Sequence, residues 1–92
     1  MIKIQQTHQF AKTYKKLKTN QRAAIDNAVK LIVKKPDIGE RKKGDLAEVY
    51  VYKFSMFGQL TLLGYSYFEK ELTILLLSVG SHENFYRDMK RN

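Results

Sequence analysis

The 92-residue chain has no cysteine. That excludes a disulfide framework and a thiolate metal site. It also fits a reducing, cytoplasmic compartment, which is where the chain is expected to act. The five glycines are isolated from one another, so no loop can cradle phosphate through its backbone, and each glycine is better suited to a turn or bulge. Long hydrophobic runs are missing. The most apolar stretch, residues 72–79, falls far short of the ~20 residues that span a bilayer. Residues 1–6 are too short and too polar for a signal segment. No membrane partner is expected. There is no HExxH pattern, and no gathering of His and carboxylates at metal-ligand spacing. Any reaction is therefore expected to run without a metal or other cofactor. No repeat period and no linker composition occurs, so residues 1–92 read as one domain.

Acid is scarce in one half only. Seventeen Lys/Arg against nine Asp/Glu give a net charge of +8. Residues 1–43 hold twelve basic and three acidic side chains, and the remainder is close to balanced. A field of that sign draws polyanions, with nucleic acid first and an acidic protein segment second. The apolar fraction of 43% is enough for a packed core and argues against disorder of the whole chain.

The hydrophobic pattern then sets the elements. Residues 1–6 alternate as a short edge strand. Thr7 is placed to cap a first helix, on which Phe10, Tyr14 and Leu17 share a face. A second helix is expected over 21–35, capped by Thr19 or Asn20 and stopped before Pro36. Its apolar stripe is Ala24, Ile25, Ala28, Leu31 and Ile32. Residues 36–44 form a loop carrying Arg41, Lys42 and Lys43. Strands are expected over 48–56, 59–68 and 72–79, with turns at Gly58 and Glu69-Lys70. The last strand should end at Gly80, and a short C-terminal helix should follow. The fold class is α+β: an N-terminal edge strand and a two-helix hairpin packed on a curved antiparallel sheet, with the opposite face partly open as a groove. Tyr50, Tyr52 and Phe54 alternate with Val49, Val51 and Lys53. Both sets are apolar enough to be core, and the rings are equally suited to stacking on bases.

Candidate chemistry gathers after the last strand, in Gly80-Ser81-His82-Glu83-Asn84-Phe85-Tyr86-Arg87-Asp88-Met89-Lys90. On a helix, His82 and Tyr86 share a face. Cleavage of RNA by its own 2′-hydroxyl needs a base, an acid and cations on the phosphate. His82 has the side chain suited to proton transfer near neutrality. Tyr86 can donate or orient a proton, and Arg87 offers bidentate phosphate contact. Arg41, Lys42, Lys43, Lys53 and Lys90 would bind nucleic acid. The same segment also reads as a plain amphipathic helix docked through Phe85 and Met89. His8 stands apart and reads as a surface residue.

The order of elements resembles the RelE/ParE superfamily of bacterial toxins. So do the basic loop Arg41-Lys42-Lys43-Gly44-Asp45-Leu46, the strand Val49-Tyr50-Val51-Tyr52-Lys53-Phe54, and the ending from Val79 to Asp88. The resemblance covers nearly the whole chain. It implies a microbial-RNase-like fold, a type II toxin–antitoxin module, and a small acidic antitoxin as partner. It implies metal-independent cleavage of mRNA at the ribosome, arresting translation and growth. Lys42 and Lys43 match lysines that contact RNA, His82 falls at a catalytic position, and Tyr86 resembles a tyrosine that stacks on or orients the substrate. The family's arginine after the turn glycine has no counterpart in Gln59-Leu60-Thr61-Leu62. A ParE-like inhibitor of DNA gyrase, or a nuclease acting on DNA, therefore stays open beside the RNase.

Overall fold

The computed structural model describes residues 1–42, 49–82 and 85. Strand β1 (Lys3–Gln6) leads into helix α1 (His8–Lys15) and helix α2 (Thr19–Lys34). Strands β2 (Glu40–Arg41), β3 (Val49–Met56), β4 (Gln59–Phe68) and β5 (Thr73–Ser81) follow. The sheet order is β1-β5-β4-β3-β2. It is antiparallel except at one edge, where β1 runs parallel to β5. The α+β expectation holds, and the hairpin covers one face of the sheet.

Thr7 seats the first helix. Its hydroxyl accepts from the Phe10 N–H at 3.1 Å and donates to the Leu77 carbonyl at 2.8 Å, while its own N–H reaches the Leu76 carbonyl at 3.0 Å. One side chain thus caps α1 and ties it to β5. Leu77 is the extra residue of a bulge, since Gly64 pairs with Ser78 and Tyr65 with Leu76. The bulge resets the alternation, so Ile74, Leu76 and Val79 all turn to the helices.

Helix α2 begins earlier than the sequence suggests. Lys18, not Thr19 or Asn20, is the N-cap; its side chain has no acceptor for the first-turn N–H groups, but its own N–H donates to Gln21 Oε1 at 2.9 Å, the reciprocal half of a capping box. The helix ends at Lys34, one residue before the position that Pro36 disfavours. Ile25, Ala28 and Ile32 are its buried residues, whereas Leu31 is 44% exposed and leaves the expected stripe. Across the hairpin, the Tyr14 hydroxyl donates to Asp26 at 2.7 Å. The loop expected over 36–44 contains the two-residue strand β2, and β5 runs through Gly80 to Ser81 instead of stopping at the glycine.

Both faces of the sheet are core. Under the helices lie Phe10, Ile25, Ile32, Leu63, Tyr65, Ile74 and Leu76, with Tyr50, Tyr52 and Phe54 packed alongside. The opposite face buries Val49, Val51, Leu62 and Phe85, joined by Leu77. So the strand tyrosines are packing residues at their base, and Tyr50 stacks on Tyr65 with centroids 5.4 Å apart.

Tyr65 is fully buried, and its hydroxyl is satisfied twice: it donates to the Pro36 carbonyl at 2.6 Å and accepts from the Gly39 N–H at 3.0 Å. This pins the chain after α2 to the centre of the sheet. A Cβ on Gly39 would come within 2.9 Å of that oxygen. Burial pushes the Tyr65 phenol above the usual tyrosine range, and the Gly39 N–H pulls it part of the way back.

Removing the Tyr65 hydroxyl strands a buried donor, so Tyr65→Phe should lose about 1–3 kcal/mol in urea unfolding while keeping the fold. The raised phenol has a second consequence. Above pH 10, the ordinary tyrosine value, the unfolded chain releases this proton before the folded one does. The stability tied to Tyr65 is therefore complete below that pH and lost as pH climbs through the raised value. Tyr65→Phe should show a shallower alkaline decline than the parent in the same assay. On the other face, a Cβ on Gly64 would lie 2.6 Å from the Phe85 ring. Gly64→Ala should thus cost about 1–3 kcal/mol and raise the exposure of the Phe85 segment to proteolysis, an effect absent if Phe85 docks elsewhere.

Candidate functional site

Among the described residues, Phe85 anchors the C-terminal segment on the sheet. Phe85, 1% exposed, lies on the face away from the helices, over Gly64 and among Leu62, Val49 and Val51. Gly64 is what lets the ring approach the strand, because any Cβ there would occupy its place. His82 directly follows β5, has helical backbone and is exposed. Phe85 too has helical backbone. Tyr86, Arg87, Met89 and Lys90 lie outside the described residues, as does Lys43.

Register fixes what stands near His82. Leu62 pairs with Lys53 on one side and Gly80 on the other, so Lys53, Leu62 and Gly80 form one row across the sheet. That row points to the Phe85 face. Lys53 is exposed there. The next row at the hairpin end contains Ser55 and Leu60, both exposed. Thr61 pairs with Ser81, which puts His82 at this same end of the sheet. The face opposite the helices, expected to be partly open, is instead covered by Phe85 over Leu62, Val49 and Val51; Lys53 is exposed on it, and His82 follows two residues after Gly80.

The basic loop does not act as one patch. Arg41 pairs with Tyr50, and Tyr50 packs on the helix side, so Arg41 shares that face. Glu40 pairs with Val51 on the other face. The Lys42 N–H donates to the Val49 carbonyl at 2.8 Å, extending the pairing, and its ammonium meets Glu40 at 3.3 Å. Lys42 and Lys53 are therefore on one side of the sheet and Arg41 on the other. Strand alternation separates cations that are adjacent in sequence, and no local pattern in Glu40-Arg41 announces the two-residue strand that does it.

Two concavities on the helix side are lined in part by α1. One, of about 390 Å³, is lined mainly by Ile4, Phe10, Tyr14, Ile25, Val29 and Leu76, with Asp26 and Lys30 also in its wall. Asp26 already accepts the Tyr14 hydroxyl. The other, of about 220 Å³, is more polar and lies between the hairpin and the β3–β4 end, with Thr13, Gln21, Gln59, Thr61 and Ser81 among its walls. His8 is exposed at the start of α1, as its isolation suggested. No helix of the described residues is long and apolar enough to cross a membrane.

One residue that motif reasoning passed over is Phe57. It sits in the β3–β4 turn with φ of 53° and is 67% exposed. The signal was available: a Phe-Gly pair between two strands is an unusual choice where Asn-Gly is favoured.

The fold recurs in solved toxins. The chain superposes on RelE of the intact Escherichia coli RelBE toxin–antitoxin complex with a TM-score of 0.72 at 18% identity, covering 88% of this chain and 96% of that one. Against isolated E. coli RelE the TM-score is 0.70 at 18% identity, with 99% and 98% covered. Against the RelBE2 toxin–antitoxin complex of Mycobacterium tuberculosis it is 0.74 at 18% identity, with 88% and 98% covered. No curated protein matches the sequence. The family model for ParE-like toxins of type II bacterial toxin–antitoxin systems matches residues 4–90. With nearly its whole length matched, and with a RelE-type sheet carrying a helical hairpin on one face and Phe85 on the other, the chain belongs to the ParE-like toxin family of type II toxin–antitoxin systems.

Proposed function

We propose that this toxin is a metal-independent endoribonuclease that cuts mRNA, in association with the ribosome, and so arrests translation and growth. The observation that carries this reading is the position of His82. It is exposed just beyond the end of β5, two residues after the row in which Lys53 stands across Leu62 and Gly80, on a segment fastened by Phe85. In the reaction, the 2′-oxygen bonds to phosphorus as the bond to the 5′-oxygen breaks. His82 exchanges a proton with one of those two oxygens. Tyr86 and Arg87, next along the chain, orient the phosphate and stabilise its charge. Lys42, Lys43, Lys53 and Lys90 hold the backbone, with Arg41 contributing from the other face. The partner is a small acidic antitoxin, in keeping with the +8 charge and with neighbours solved as toxin–antitoxin complexes.

A second reading has its own observation. The positions after the turn, Gln59 and Leu60, are exposed and uncharged, so the phosphate lacks a cation there. That favours a ParE-like inhibitor of DNA gyrase with no catalytic residues. A supercoiling assay with purified toxin separates the two: gyrase is untouched on the first reading and blocked on the second.

His82→Ala should lower RNA cleavage by about 10²–10⁴-fold while leaving binding and the melting curve unchanged. End-mapping of transcripts after induction gives the readout, and undiminished cutting by the variant rejects His82 as the proton-transfer group. Lys53→Ala should weaken RNA binding evenly across sequences and reduce the salt slope by about 1.

A further inference from the structure

The β3–β4 turn departs from what its backbone would choose. Phe57 and Gly58 are its two central residues, since Met56 pairs with Gln59, and both have positive φ, 53° and 80°. This is the two-residue turn of type I′ character, for which Asn-Gly and Gly-Gly are the favoured pairs. An aromatic residue in left-handed backbone carries a steric cost. Packing does not compensate, because Phe57 is 67% exposed. A local rule broken without a folding benefit points to a use for the ring.

Its surroundings narrow that use. The tip lies at the end of the sheet that carries His82, since Leu60 follows the turn and the next residue, Thr61, pairs with Ser81. Along β3 the turn is four residues from Lys53, roughly 13 Å. Strands β3 and β4 contain no Asp or Glu, and Lys53 is their one charged side chain. An anion lying over this end therefore meets attraction without repulsion. Gln59 and Leu60, both exposed, flank the ring without charge.

We infer that Phe57 is a stacking platform for an unpaired nucleobase of single-stranded RNA, positioning the strand so that its phosphate reaches His82. The inference rests on the nuclease reading above and adds to it the substrate's form and a positioning residue. Every base has a π-face, so the contact is tolerant of sequence. It also replaces, by stacking, part of the hold that a cation after the turn would give.

The chain has no tryptophan, which makes the test direct. In a His82→Ala background that does not cut, Phe57→Trp installs a single indole at the tip. Titration with short, fluorescein-free single-stranded RNA should quench its emission saturably. In parallel, Phe57→Asn restores the favoured Asn-Gly turn, so its melting temperature should equal or exceed the parent's. Its affinity for labelled RNA, read by anisotropy, should nevertheless fall about tenfold or more. If RNA binds but the indole is silent and Phe57→Asn binds as well as the parent, the stacking role is wrong and the nuclease reading survives. If the chain binds no RNA at all, both fall. If the indole responds to a gyrase subunit instead, the tip is a protein contact and the nucleobase assignment is overturned.

Discussion

Residues 61–66 of β4 are all buried, and a strand buried along such a length must be covered from both sides. Leu63 and Tyr65 are covered by the helical hairpin; Leu62 and Gly64 are covered by Phe85 and the valines of β3. The two covers differ in kind. The hairpin is sixteen residues of α2 and eight of α1, whereas among the described residues the other side is covered from the C-terminal segment by Phe85. The segment that carries His82 is therefore also the lid on half of the core. The docking of Phe85 thus both completes the core and sets where His82 stands.

The fold was legible where a period or a cap states itself. Thr7 announces the start of α1, Pro36 the end of α2, and Gly58 the β3–β4 turn. What stayed hidden were features made by contacts distant in sequence. Nothing local in Leu77 foretells a bulge whose carbonyl is taken by Thr7, seventy positions away. Nothing in Glu40-Arg41 foretells a strand, because its pairing depends on Val51 and Tyr50. Lys18 serves as an N-cap without a capping oxygen, its own N–H taken by Gln21 three residues on. The parallel set of β1 beside β5 is likewise a matter of topology, since alternation in residues 1–6 fixes which side chains share a face but not the direction of a neighbour.

The candidate site was legible as a list of residue types and not as a geometry. His82 stood out by chemistry, and Phe85 by its helical spacing from Met89. The grouping of Arg41 with Lys42 failed for a plain reason: in an extended strand, neighbours point opposite ways. A basic run in a loop is one patch only while it remains a loop. Phe57 shows the converse. Its meaning came from a backbone angle and an exposure, neither of which a hydrophobicity pattern reports.

The pairing of β1 with β5 joins the two ends of the chain. Such a contact closes a very long loop, and loops of that kind form late and slowly. During synthesis, α1 and α2 leave the ribosome with their apolar faces uncovered, and the strand that fixes β1 emerges after both of them. A nascent or truncated chain lacking β5 therefore has no completed sheet and no site at its end.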